Sequence, residues 1–600
     1  MVEKPRNNEE TNATTSVGKT ENFVSKHFVR LLVWLAVSGG ALAIFGPWLL
    51  YVTGLTGETD ANLRLHILYV TGGTIAVLGL VETHRKNTTD RIKADADIQN
   101  YQASQSYQSK TLDEQARQFT ENIAKEREKI EADKAKNEQD HIRQVHAERR
   151  SRYTTAIEQL SNDKASIRLG GVYTLVGLVD EWLTDEKTIP DIKERRKEGQ
   201  VIINNLCAYI RSPFLLAERA GQLDKPYTKD LQKDFGGDKE KFDADKQTFK
   251  QHKATLEEER QVRLSIIKEM HEHLHDAEKP GPWSAFNYDF SNTHFFYVVS
   301  FNHSYLSALL NFSGAKFTGY ANFSLAEFTG YANFSWAEFT GNANFSWAEF
   351  TGNANFSMAK FTGNANFSMA KFTKRADFCK ASFGGEANFF DGAFLQGADF
   401  SEVKFTGDAT FSDAHFAEST NFFKATFTGD GTFYKAKFIG PLLFSRALFM
   451  RNATFSKAKF AQEANFFMTV FTKEADFSSS KFSGHASFFE VKFSSSDNFF
   501  KTKFAENTRF SGAQFNGPTN FSITIFHSKP EFANTPNKNY KAKFSHKAAP
   551  ADYSFKTAAK SPYKIETREQ EHNGVKFIIP EDAMLFDPDN PVAWAEPAGG

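Results

Sequence analysis

The chain has 600 residues, with 72 Lys or Arg against 73 Asp or Glu, so no overall charge excess points to nucleic acid or to an acidic substrate. Its two cysteines, Cys207 and Cys379, stand far apart, which excludes a cysteine-rich metal site and argues against a disulfide framework. The outlying number is 63 phenylalanines beside 7 tryptophans and 17 prolines, and it calls for a structural reason.

Residues 1–28 open with a stretch rich in Asn, Thr and Glu and are predicted to be a disordered cytoplasmic tail. Residues 31–52 carry no charge, and that length of helix spans about 33 Å, enough for a hydrocarbon core. Pro47 lies inside this run, where a kink is expected. A cleaved signal peptide is the competing reading, but the run is long and no small-residue cleavage site comes after it. A second apolar run, residues 67–81, reaches spanning length if it starts at Leu63 with Arg64 and His66 at the headgroups. An interfacial helix is the alternative there, and would place the rest of the chain on the other side. Two transmembrane helices are therefore expected within residues 29–82. Lys26 and Arg30 precede the first, and Arg85, Lys86, Arg91 and Lys93 come after the second, while the loop holds Glu58, Asp60 and Arg64. Positive charge thus puts both termini in the cytoplasm of a multi-pass inner- or plasma-membrane protein.

Residues 90–152 contain neither Pro nor Gly and predict one long helix. Leu112, Ala116, Phe119, Ile123 and Ile130 fit heptad positions, but Glu126 and Asp133 interrupt them. The segment reads as a coiled coil, which would make the protein an oligomer, or as a solvated helix with pairs such as Glu121–Lys125. Residues 153–215 predict a helical hairpin: Ala156 to Leu178 form an amphipathic helix broken at Gly170 and Gly171, and a second helix through Ile202, Leu206 and Ile210 is stopped by Pro213. Cys207 reads as a small hydrophobe in the packed face. Residues 225–278 are charged and helical, with a stripe of Val262, Ile266, Ile267, Met270 and Leu274. His271, His273 and His275 read as surface residues, since no further ligand stands at a metal-binding spacing. Gly281, Pro282 and Trp283 mark the junction to the next domain.

From Phe290 to Phe532, in an expected domain of residues 286–545, phenylalanine recurs at alternating gaps of five and six. Of 45 such slots 44 are Phe, the exception being Leu306. Neither a helix nor one long strand explains that spacing, whereas a coiling chain with one corner per Phe does. Ala usually stands two before each Phe and points the same way on an extended stretch, so both are expected inside. Core residues are accordingly Phe323, Phe328, Phe334, Phe339, Phe345 and Phe350. Glycines at 319, 330, 341, 352 and 363 are expected to allow tight corners.

The motif Ala321-Asn-Phe-Ser-Leu325 with Ala326-Glu-Phe-Thr-Gly330 next to it, and Tyr331 or Asn342 as an extra sixth residue, resembles the pentapeptide-repeat proteins and their eleven-residue branch. The resemblance implies a right-handed, four-faced β-helix; with four units per coil, each coil would hold 22 residues. The predicted fold is therefore mixed: transmembrane helices and a long helical region, then an all-β quadrilateral β-helix. The segment around Ile167-Arg-Leu-Gly-Gly-Val-Tyr173 and Leu206-Cys-Ala-Tyr209 also resembles a module that precedes such repeats in actinobacterial membrane proteins. Some family members are implied to mimic DNA, which needs a strongly acidic surface. Residues 290–532 instead hold 21 Lys or Arg and 19 Asp or Glu, interspersed along the chain, so neither mimicry nor nucleic-acid binding is expected.

One surface feature stands out. Leu325, Trp336, Trp347, Met358 and Met369 lie two after alternate core Phe residues and would form two edge stripes, Leu325–Trp347–Met369 and Trp336–Met358. Phe423, Phe467 and Phe489 would share one side. These are either a contact surface or corner packing. Tyr540 and Phe544 keep part of the pattern, and residues 546–600 are expected to cap the last coil and end in a tail. No phosphate loop, nucleophile elbow or zinc motif is present, and no catalytic, cofactor or metal site is expected. The reading is a membrane-anchored, non-enzymatic interaction scaffold. The alternative is a membrane sensor or transporter accessory that relays a signal through the helical region. The expected partners are the lipid bilayer, an unidentified protein and, if the coiled coil forms, a second copy of the chain.

Overall fold

The structure is a computed structural model that describes residues 14–55, 61–102, 113–275, 279–534 and 540–590. The chain divides into two units, residues 1–144 and 145–600. In the first, α1 (Thr14–Val52) begins well inside the segment expected to be a tail and runs through Pro47. α2 (Ala61–Gln102) continues past the second apolar run. The stretches Arg30–Leu50 and Leu65–Thr83 are long and apolar enough to cross a membrane by length and composition. Their apolar side chains face outward, Trp34 being 72% exposed and Val37, Phe45 and Val70 also exposed, unlike the core helices of a globular domain. The two helices meet where Gly39 faces Thr71: a Cβ on Gly39 would overlap the threonine methyl carbon, so only glycine allows the approach. Glu58 and Asp60 lie outside the described residues, as do Leu112 and the side chains of Lys26, Arg64, Arg85, Arg91, Lys93, Ala116, Phe119, Glu121, Ile123 and Lys125. Of the helix expected over 90–152, residues 90–102 belong to α2 and residues 113–152 to α3 (Asp113–Leu160), and residues 103–112 lie outside the described residues.

In the second unit, α4 (Ala165–Thr184) runs unbroken through Gly170 and Gly171; the break falls earlier, at residues 161–164. Gly171 serves packing instead, because a Cβ there would sit 2.7 Å from the Ala156 carbonyl oxygen. Next come α5 (Ile192–Arg211), the single turn α6 (Ala220–Leu223) and α7 (Lys239–Leu274). The α7 stripe Val262, Ile266, Ile267, Met270 and Leu274 is buried, as is Cys207. These helices share one continuous hydrophobic core with the first coils of the repeat. At its polar centre the Arg263 guanidinium, 2% exposed, donates to Glu259 at 2.6 Å, to the Ile210 carbonyl at 2.8 Å and to the Ser212 carbonyl at 2.7 Å. One cation thereby satisfies the carbonyls left open at the C-terminus of α5.

The repeat folds into four parallel sheets of 11, 13, 12 and 11 strands, mostly of two residues, in which each strand as far as Ile525–Phe526 pairs with the one four later or earlier in its sheet. Registers such as Ala343↔Ala321 and Phe350↔Phe328 fix 22 residues per coil. Faces one to four of a coil are represented by Ala332–Asn333, Glu338–Phe339, Ala343–Asn344 and Glu349–Phe350. Core rings stack in parallel up each face, Phe345 on Phe367 at 4.8 Å and 2°, and meet edge-to-face across the bore, Phe334 to Phe345 at 5.3 Å and 87°.

Two corner types alternate, and this is how the sixth residue is housed. The tight corner Phe323-Ser324-Leu325-Ala326 closes with Ala326 N donating to Phe323 O, and Leu325 has φ 58°. Asn322 caps it, its Oδ1 accepting from Ser324 N at 3.1 Å, and the capping Asn side chains also bond between coils, Asn333 to Asn311 at 3.1 Å. The wide corner contains the glycine and the extra residue. Its glycines do not carry the left-handed backbone, contrary to expectation; the residue two after alternate Phe does. The glycines are there because successive coils nearly touch: a Cβ on Gly341 would lie 2.5 Å from Gly319 O, and one on Gly407 would overlap Gly385 O.

Asp497 is the exception inside the tube. It occupies an inward column otherwise filled by Ala453, Ala475 and Thr519, is fully buried, and neither of its carboxylate oxygens has a partner among the described residues. Burial, and then the nearby Glu474, drive its carboxyl well above the usual range. The folded state therefore holds a proton that the unfolded chain releases near pH 4. The resulting penalty is absent below that pH and grows as pH rises toward the folded-state value. Asp497→Ala is expected to raise stability at neutral pH by about 1–3 kcal/mol and to flatten the pH dependence between 4 and 8, as measured by urea unfolding.

The C-terminal region adds strands to the solenoid. Lys543–Ser545, Tyr553–Ser554 and Met584–Phe586 extend two of the sheets, and Thr567–His572 pairs antiparallel with Val575–Pro580. Residues 591–600 lie outside the described residues.

Candidate interaction surface

Each residue singled out for the surface stands at the left-handed position of a tight corner: Leu325, Trp336, Trp347, Met358 and Met369 have φ of 57–60°. A left-handed backbone turns the side chain away from the tube, and a non-glycine residue adopts it at a cost of about 1–2 kcal/mol. Trp336 is 63% and Trp347 55% exposed; Leu325 is exposed, and Met358 and Met369 are half-buried. The 22-residue coil places Leu325, Trp347 and Met369 in one row and Trp336 and Met358 in another, as the spacing predicts. Phe467 and Phe489 behave differently: they stack on each other at 5.7 Å, and Arg509 lies 4.0 Å from the Phe489 ring centroid, which is corner packing.

Sequence reasoning missed the other two corners. Val298, Leu309, Tyr320 and Tyr331 at the wide corners are also exposed, so the first coils carry apolar groups on all four edges, as a collar. The signal was available in the sixth residue of each unit, which is a large aliphatic or aromatic residue only in these coils.

The histidines of α7 are not plain surface groups. His271 Nε2 meets Asn302 O at 2.8 Å, tying the helix to the first coil. His273 lies between the Glu269 carbonyl at 2.7 Å and Asp180 at 3.0 Å and stacks on Trp283 at 4.2 Å; Trp283 itself donates to Asp180 at 2.8 Å. Both ring nitrogens face acceptors, so the imidazolium fits the site. Burial opposes the charge, but the two hydrogen bonds prevail and raise the His273 pKa. Only His275 is exposed. Burial pushes the Cys207 thiol up to about 12, which leaves no thiolate for chemistry. Among the described residues no group of three or more His, Cys, Asp or Glu side chains could hold a metal ion.

Nine copies of a pentapeptide-repeat family model match the chain, over residues 312–356, 348–392, 390–437 and 400–447 among them. The repeat segment belongs to the pentapeptide-repeat family. No curated protein and no solved structure matches the chain. A pentapeptide-repeat solenoid is commonly a protein-interaction scaffold. Its chemistry here fits that use: backbone groups are consumed in the ladders between coils, the bore is filled by rings, and only corners and outward strand positions are left to vary.

Proposed function

We propose that the protein is a membrane-anchored, non-enzymatic scaffold whose pentapeptide-repeat solenoid presents a protein-binding collar on the cytoplasmic side. The observation that carries this reading is the outward projection of Trp336 and Trp347 from a tube that is otherwise closed and rigid, since large exposed aromatics are the usual anchors of protein interfaces. The anchor is supported by the two apolar helices with outward-facing side chains, and the cytoplasmic placement by the positive residues that flank them. A heptad contact along α3 would add self-association. The test is purification of the full-length protein from solubilised membranes beside Trp336→Ser/Trp347→Ser. A stoichiometric companion that is held by the wild type and loses at least about tenfold in affinity for the variant is expected. Identical companions at identical affinity would overturn the collar.

A further inference from the structure

The near-neutral total of the solenoid hides a segregation of charge. Residues 290–433 hold 8 basic and 12 acidic side chains, whereas residues 434–504 hold 11 basic and 5 acidic. The coil geometry then sorts the basic groups. On face four, Lys437, Lys459, Lys481 and Lys503 occupy successive strands in direct register, with His415 beneath them. The neighbouring tight corner adds Lys435, Lys457 and Lys501 in a parallel row. All seven lysines are exposed, and among the described residues no carboxylate pairs with any of them. Neither row contains an acid between Lys435 and Lys503; Asp413 stands one coil below, and Glu418, Glu463 and Glu506 lie at the far corner of the face. Basic residues that look dispersed along the chain are thus gathered on one face.

Like charges directly opposite one another on adjacent strands are destabilising. Elsewhere on the tube some lysines stand over acids instead: Lys371 sits over Glu349 at 3.1 Å on this very face, and Lys360 over Glu338 on face two. Four lysines in line, about 4.8 Å apart, are an arrangement that folding alone does not favour.

We propose that this lysine face docks on an anionic lipid surface. The face is flat, its cations are point charges without the forked geometry of arginine, and they repeat along a straight line, which suits a diffuse sheet of anionic headgroups. Nucleic acid is the lesser fit because the aromatic rings beside the rows are already occupied. Lys435 and Lys457 lie 5.1 Å from the Tyr434 ring centroid and Lys501 lies 4.9 Å from that of Phe500, so a base stacking there would compete with these lysines. The hydrogen bond from Lys457 at 2.9 Å, with Lys435 beside it, holds the Tyr434 phenol below its usual range, as a positive field requires. The choice of a membrane rests in part on the anchor reading: a tethered domain meets its own bilayer at high effective concentration.

The test is amine-acylation footprinting of the full-length protein reconstituted into phosphatidylcholine vesicles with and without phosphatidylglycerol. Labelling of Lys437, Lys459, Lys481 and Lys503 is expected to fall about fivefold in the anionic vesicles and to recover at about 0.5 M salt, with Lys404 and Lys492 on face two unchanged. Replacing the four face-four lysines by glutamine should abolish the protection of the neighbouring Lys435, Lys457 and Lys501 in the anionic vesicles, while the variant folds at least as stably because the repulsion is gone. Equal labelling in both vesicles would overturn the proposal, as would protection by RNA or duplex DNA but not by phosphatidylglycerol. Alkaline carbonate extraction separates the two readings. A protein released by carbonate refutes the anchor, yet salt-sensitive sedimentation of that protein with phosphatidylglycerol vesicles would still support the lysine face.

Discussion

Replacing Phe345 by alanine is expected to destabilise the solenoid by about 3–5 kcal/mol. The ring is fully buried and touches the column on both sides, Phe323 at 4.9 Å and Phe367 at 4.8 Å, and meets Phe334 and Phe356 edge-on at 5.3 Å each. Removing it leaves a cavity whose walls are rings fixed by their own ladders, so the site cannot collapse. In a stacked-repeat protein the loss is felt first by adjacent coils. Hydrogen exchange should therefore show the amides of Ala343 and Ala365 losing protection before those near Phe477, and urea unfolding should begin earlier. Phe345→Leu is expected to cost less than about half as much, because Leu306 already fills one slot of the ladder. An alanine variant within about 1 kcal/mol of the wild type would mean that the column does not carry the stability of the tube.

Arg263→Ala is expected to cost the helical module about 3–5 kcal/mol. Most of that loss comes from what is left behind. Glu259 would keep the Tyr209 hydroxyl at 3.0 Å and the more distant Arg168 at 3.4 Å, but would lose its closest cation, and the carbonyls of Ile210 and Ser212 would lose their donor. Adding Glu259→Gln should recover part of the loss, since a neutral group is far cheaper to bury. The measurement is a double-mutant cycle by chemical unfolding, monitored at Trp182 and Trp283, both buried in this module. A coupling below about 0.5 kcal/mol would show that the pair does not hold α7 in place.

One corner per Phe, the inward Ala and Phe, and the existence of a helical module were legible because each is a local periodicity. A gap alternating between five and six can only mark corners, and Ala two before Phe shares its side of a strand. The same logic misplaced the glycines. Turn chemistry suggests glycine at the tight corner, yet Trp336, Lys380 and their equivalents accept the left-handed backbone there, and many glycines stand where two coils nearly touch. That contact joins residues 22 apart and leaves no local trace. The break assigned to Gly170 and Gly171 failed for the same reason, since Gly171 answers to Ala156 across a helix interface.

What the order of residues decided on its own was the shape: periodic burial makes a tube whatever decorates it. The surface was settled only by the winding of the chain. One coil brings Lys437 over Lys459, and the docking of α7 brings His273 to Asp180, 93 residues away in the chain, and to Trp283. Burial of apolar side chains repeats with the backbone and can be read along it, whereas electrostatic and packing partners act through space and exist only once the coils are stacked.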